Sequence, residues 1–362
     1  MTPLIINQLL PTLSYGDAVS NSALGISRAL SKIGIKNAIY AETIHPKMMK
    51  YAKSATRCPR NQPVIYHMSI GSNLAHSIPE FEQTKIMIYH NITPPHFFTG
   101  NNPLIEQLCR DGREQLASLK NYFDFAFAVS EYNRQELVQL GYPNTSVVPL
   151  IINFDEYNLT PSNDIIEKYN SDDGYVNLLF VGRIAPNKRQ EDIIKVFYYY
   201  KKFINQRSRL FLVGSHNGME RYYHELKALV ESLQLTDVIF TGHIPFDQIL
   251  AYYHVADLFL CMSEHEGFCV PLVEAMLFDL PIIAYDSSAI ASTLGNAGFL
   301  VSKKDYKAIA ELVQIILDNQ TIRERLAHNR KARLEELSNE KAEQVFLDRI
   351  RSIFHLGVHC NE

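Results

Sequence analysis

Short runs of β-branched and aromatic residues recur along this chain, each separated from the next by a longer stretch whose apolar positions fall three and four residues apart. Alternating or continuous apolar runs predict strands, and a period near 3.6 predicts helices. On that basis residues 3–9 form a strand, 18–32 a helix and 36–41 a second strand, which together close a βαβ unit. Strands at 64–68, 85–89 and 125–129 extend the series, with a helix across 103–121. A second series of strands follows at 177–181, 209–213, 238–241, 258–261 and 282–285, again separated by helical stretches. The chain then turns wholly helical, at 305–318, 322–337 and 340–354. Strands that alternate with helices predict a mostly parallel sheet covered on both faces.

Between the two series lies the run from Val147 to Asp155, followed by the polar Thr160-Pro161-Ser162-Asn163-Asp164. A chain of 362 residues exceeds what one hydrophobic core usually holds. The expectation is an α/β protein of two Rossmann-like doubly wound domains facing across a cleft, hinged near Leu150. Its boundaries are an N-terminal domain at 1–150, a C-terminal domain at 151–338, and a last helical segment at 339–362.

Composition narrows the class without naming the chemistry. Hydrophobic residues make up 46% and charged residues 20%, as in an ordinary globular protein. A formal net charge of -4 argues against nucleic acid as partner, because phosphate-backbone affinity needs a basic surface. Cys58, Cys109, Cys261, Cys269 and Cys360 are odd in number and lack any Cys-x-x-Cys spacing, so reduced thiols are expected rather than disulfides or zinc ligands. The first residues have neither the basic lead-in nor the apolar length of a secretory signal. No stretch approaches the run of about 20 apolar residues that crosses a bilayer, and a cytoplasmic location is expected.

The most informative segment runs from Glu266 through Gly267, Phe268, Cys269, Val270, Pro271, Leu272 and Val273 to Glu274, two carboxylates either side of a loop that turns into a helix. A helix start presents unpaired N–H groups and partial positive charge that suit a phosphate, and flanking carboxylates accept hydrogen bonds from sugar hydroxyls. Acids near a helix start are also an ordinary electrostatic preference. After the strand at 177–181 comes Gly182-Arg183-Ile184-Ala185-Pro186-Asn187-Lys188, which sets two cations beyond a strand's carboxyl end, where open α/β sheets bind ligands. Gly16 and Asp17 lie between the first strand and first helix, where a glycine allows close backbone approach to a phosphate or simply makes a turn. His90 ends the strand at 85–89 and His67 the strand at 64–68, the latter facing an acceptor in this reading.

These motifs together resemble the retaining glycosyltransferases of the GT4 family, which have the GT-B fold and act in bacterial polysaccharide or lipopolysaccharide assembly. Glu266 and Glu274 match the paired acids of the family's Glu-x7-Glu element, with Cys269 where a glycine is commonest. The resemblance implies Glu266 beside the donor sugar and Glu274 on the nucleotide ribose. It implies Arg183 and Lys188 on the diphosphate, with Gly16, Asp17, Gly182, Gly214, Gly267, Phe268, Cys269 and Val270 lining the donor. It places His90 against a donor hydroxyl and His243 and Ile244 at the nucleobase, and it brings the terminal helix back onto the N-terminal domain. No Asp-x-Asp occurs in the chain, so a metal-bridged diphosphate lacks its signature and no cofactor or metal is expected.

The activity so implied is transfer of a hexose, mannose among the candidates, from a UDP- or GDP-sugar to a glycan or lipid-linked acceptor. A non-catalytic sugar-nucleotide-binding protein with the same fold is the alternative. A dehydrogenase needs Gly-x-Gly-x-x-Gly after a strand, which neither Tyr15-Gly16-Asp17 nor Val213-Gly214-Ser215 supplies. Lys47, Lys50, Lys53, Arg57 and Arg60 fall in a segment without acids, which suits either an anionic membrane surface or a solvated loop.

Overall fold

The computed structural model describes residues 4–170 and 174–356. Cys360 and the end of the last helical segment lie outside them. Two compact units emerge. Among the described residues, 4–95, 104–154 and 337–356 form the first unit, while 96–103 and 155–336 form the second.

The first unit is built on β1 (Ile5–Leu13), α1 (Ala18–Lys32), β2 (Lys36–Ile44), β3 (Ala52–Ser54), β4 (Val64–Met68), β5 (Lys85–Tyr89), α2 (Pro103–Ser118), β6 (Phe125–Ala128), α3 (Glu131–Leu140) and β7 (Thr145–Val147). Its seven strands pair in the order β3-β2-β1-β4-β5-β6-β7, each pair parallel. The inner strands are near-continuous apolar runs because both faces are covered, and every residue of β4 is buried. Helix α1 begins where the Asp17 carboxylate accepts from the Ser20 amide at 3.0 Å, and it buries Ala23, Ile26 and Leu30 on one face. Ala23 packs with Leu10, Leu13, Ile39, Ala41 and Met48. Helix α3 is capped by Ser130 at its start and by Gly141, at φ 84°, at its end.

The second unit holds α4 (Asn163–Tyr169), β8 (Val176–Val181), α5 (Gln190–Phe203), β9 (Ser208–Val213), α6 (Glu220–Ser232), β10 (Val238–Gly242), α7 (Phe246–Val255), β11 (Leu258–Cys261), α8 (Val270–Leu277), β12 (Ile282–Tyr285), α9 (Ile290–Leu294), β13 (Phe299–Val301), α10 (Tyr306–Asp318) and α11 (Gln320–Glu336). Its six strands run β10-β9-β8-β11-β12-β13, again all parallel. The final helix α12 (Asn339–Ile353) belongs to the first unit. It buries Phe346, Leu347 and Ile350, packs along α1, and sets Glu343 2.6 Å from Lys32.

Each sheet therefore reverses its strand order once, at β1/β4 in the first unit and at β8/β11 in the second. Such switch points open a crevice at the carboxyl ends of the strands, where doubly wound sheets bind ligands.

Candidate functional site

At the second unit's switch point, two loops leave adjacent strands. The one after β8 carries Gly182, Arg183 and Lys188, and the one after β11 carries Glu266, Gly267, Phe268 and Cys269 into α8. They are laced together by backbone and side-chain bonds: the Glu264 amide donates to the Asn187 carbonyl at 2.9 Å, and Asn187 Nδ2 donates to the His265 carbonyl at 3.0 Å. Glycine is required where the strands end. A Cβ on Gly214 would stand 2.0 Å from the Gly182 carbonyl oxygen, and Gly214 sits at φ 151°. Gly182 and Gly214 thus serve close packing of two backbones.

Within this frame Lys188 Nζ lies 2.6 Å from both oxygens of Glu266, whose residue is only 7% exposed. Burial draws the ammonium pKa down, yet the adjacent carboxylate outweighs it and holds Lys188 above its usual value. Arg183 is exposed, and its guanidinium meets no partner among the described residues. Helix α8 starts without a side-chain cap; Pro271 has no amide hydrogen and the Leu272 amide donates to the Cys269 carbonyl at 3.1 Å, so the Val270 amide is the one at that start left for an anion. Cys269, in the glycine position of the motif, holds the left-handed φ of 72° at that start.

Glu274 faces inward from α8. Tyr157 Oη donates to one of its oxygens at 2.7 Å and Tyr253 Oη to the other at 2.6 Å. Burial raises the Glu274 carboxyl, and the two hydroxyls only partly offset that. A carboxylate has about four lone-pair sites, so two remain for a further donor. His243 is exposed and Ile244 half-buried just past β10, where Gly242 and Gly214 form an antiparallel bridge.

Cys261, Glu266 and Cys269 bring ligand atoms within 4.8 Å of one another. The Glu266 carboxylate is already neutralised by Lys188, so a cation's place beside it is taken by the ammonium. Arg189 is turned away from this pair onto Glu191, Asp192 and Glu264.

At the first unit's switch point the chemistry rests on a helix-capping carboxylate and two imidazoles. Gly16 follows β1 at φ 74° with open space where a Cβ would be. Asp17 spends one carboxylate oxygen on the Ser20 amide and hydroxyl, both at 3.0 Å, so it acts as the cap of α1. His90, after β5, approaches His67 at the end of β4, with His90 Nε2 2.9 Å from His67 Nδ1. His67 is fully buried, which corrects the expectation that it faces an acceptor. Its Nε2 lies 3.0 Å from Gln8 Oε1 on β1. Burial lowers His90 to about 3 and, with the neighbouring ring, takes His67 well below its usual value. Gln8, Tyr157 and Tyr253 escaped sequence reasoning, since nothing local marks them.

Residues 161–333 match the family model described as glycosyl transferases group 1. The chain is 27% identical over 211 residues to a capsular polysaccharide biosynthesis glycosyltransferase of Staphylococcus aureus, covering 56% of this chain and 52% of that protein. It is 26% identical over 266 residues to the O-antigen chain mannosyltransferase B of Escherichia coli, covering 70% of this chain and 66% of that protein. The matches thus span about half to two thirds of these relatives. Among solved structures, Anabaena HepE in complex with UDP and glucose superposes with a TM-score of 0.73 at 17% identity, covering 96% of this chain and 100% of that one. The fold is GT-B. Among the described residues no helix is long and apolar enough to cross a membrane.

Proposed function

We propose that this chain, whose residues 161–333 belong to the group 1 glycosyltransferases, moves a hexose from a UDP- or GDP-sugar to a glycan or lipid-linked acceptor with retention of anomeric configuration and without a metal. The observation that carries the reading is the ion pair of half-buried Lys188 with buried Glu266 beside the unpartnered Arg183 and the uncapped start of α8. Arg183, Lys188, Gly182 and the amides of the 267–270 loop hold the diphosphate, with Gly16 approaching it through its backbone. Glu266 orients the hexose and Glu274 the ribose. His243, Ile244 and the backbone near Gly214 take the base, and His90 accepts from a sugar hydroxyl. As the bond from the anomeric carbon to the diphosphate oxygen breaks, negative charge grows on the leaving group, and cations already aimed there lower the barrier. The acceptor oxygen bonds the same face of that carbon and its proton passes to the departing diphosphate.

Mannose is the sugar in the name of the E. coli relative and heads the donors to try. A thermal-shift panel of UDP, GDP and their hexose conjugates tests the reading, because a ligand bound by the native state alone raises Tm with its concentration. One base is expected to raise Tm and its sugar conjugate to release nucleoside diphosphate on incubation. No shift with any of them would overturn the reading, and a shift without release would favour a sensor.

Peripheral contact with anionic lipid belongs to the same reading. Lys47 lies over the Tyr15 ring and Lys50 over Tyr51, each at 4.8 Å, beside the exposed Met49. Arg60 is held over Phe81 at 4.4 Å and beside Glu80, so Lys47, Lys50, Lys53 and Arg57 supply the charge. Salt-sensitive cosedimentation with phosphatidylglycerol vesicles, absent with phosphatidylcholine, is the expected outcome.

A further inference from the structure

A chain of four hydrogen-bonding groups crosses the core of the first unit, and its polarity has one consistent solution. Gln8 Nε2 donates to the Ala23 carbonyl at 3.0 Å. The carbonyl can only accept, so the amide cannot be reversed, and Gln8 Oε1 is left pointing at His67 Nε2, 3.0 Å away. An amide oxygen can only accept, so His67 Nε2 carries the hydrogen. Neutral His67 then has a bare Nδ1, and the nitrogen 2.9 Å from it, His90 Nε2, must be the donor. Neutral His90 in turn has a bare Nδ1, which meets no partner among the described residues. The surroundings keep both rings uncharged: Gln8 and His67 are fully buried, and no carboxylate bonds to either imidazole among the described residues.

We infer that Gln8 and His67 are positioning residues that fix His90 as a neutral imidazole presenting a bare Nδ1, so that the substrate group it recognises is a hydroxyl that donates its hydrogen. This rests on the reading that His90 meets the donor sugar, and it deepens it. A bare nitrogen accepts from a hydroxyl and repels the lone pairs of a carboxylate, so the site favours a hydroxyl over a carboxylate at whichever position His90 reads. The orientation is set from strand β1 across the sheet, not by the loop that carries His90.

The test uses the full chain labelled with ¹⁵N-histidine. Long-range ¹H–¹⁵N correlation is expected to show both His67 and His90 as Nε2–H tautomers with unprotonated Nδ1; the His90→Asn spectrum assigns the signals. An Nδ1–H tautomer on either ring overturns the inference. Gln8→Glu puts a carboxylate beside His67, which stabilises its imidazolium; His67 Nδ1–H then donates to His90 Nε2 and turns His90 into the Nδ1–H form. That inversion is a signature a merely space-filling Gln8 would not produce, and an unchanged His90 tautomer in a folded Gln8→Glu chain contradicts the relay. Kinetically, one monodeoxy donor should lose about tenfold in kcat/KM against its parent, a ratio that collapses toward one in His90→Ala. If the ratio survives His90→Ala, the recognised hydroxyl is not at His90. Failure to turn over any sugar nucleotide would sink the proposed function while the nitrogen spectra still decide the relay.

Discussion

The two units repeat one architecture and spend it on opposite electrostatics. Both are parallel sheets whose order reverses once, and both place their chemistry on the loops and strand ends beside that reversal. In the second unit the position is ionic, with a half-buried lysine on a buried glutamate and an arginine facing solvent. In the first unit it is a neutral relay of two histidines and a glutamine. The fold sets the place where doubly wound sheets commonly meet a ligand. Which part of the ligand is met follows from the side chains: fixed cations suit a diphosphate, whereas an uncharged acceptor suits a hydroxyl that must be told from its neighbours.

The largest effect expected from breaking this contrast comes from Lys188→Ala. It strands the Glu266 carboxylate in a site where that residue is 7% exposed, and removing one partner of a buried pair typically costs about 3 kcal/mol or more. Denaturant unfolding should show the loss, and adding Glu266→Gln should recover much of it. Equal stability of single and double variants would mean that the pair is solvated. Next is Gly214→Ala, whose methyl would stand 2.0 Å from the Gly182 oxygen. Overpacking of this kind costs about 2 to 3 kcal/mol, visible as a lower Cm; an unchanged Cm would show that the two strand ends are free to part.

Acid probes the other unit. Folded His90 has its pKa lowered to about 3 against 6.5, so the unfolded chain binds the extra proton between those values. Stability from this group is complete above about pH 6.5 and is lost as pH falls toward 3, by at most about 1.4 kcal/mol for each unit. His90→Asn should flatten that slope, read from Cm at a series of pH values; an identical slope would place the titration elsewhere. The smallest effect is that of Tyr157→Phe, which removes one hydroxyl 2.7 Å from Glu274. A net loss of about 1 kcal/mol corresponds to roughly fivefold in donor KM with kcat kept. A fall in kcat instead would move Glu274 from ribose binding toward the reacting carbon.

What was legible in the sequence follows from burial. Inner strands such as β4, β5, β8 and β11 are apolar on both faces and announce themselves as runs. The edge strands β3, β7 and β13 are three residues long and half-exposed, so no period marks them. Strand β1 continues past Pro11 to Leu13, where a proline ordinarily signals an end. There β1 has run beyond its pairing with β4, which stops at Leu9, and its register with β2 resumes at Thr12. Lys188 and Glu266 were readable because each follows a strand closely in sequence. Gln8 lies 59 residues from His67, and Tyr157 lies 117 from Glu274, so only the tertiary structure brings them together.

The central claim is that the cations of the second unit grip a nucleotide's diphosphate, and Arg183→Ala tests it most directly because that side chain is exposed and supports nothing else among the described residues. Measured with the productive sugar nucleotide, kcat/KM is expected to fall about a hundredfold while Tm without ligand stays put. An unchanged kcat/KM would contradict the account.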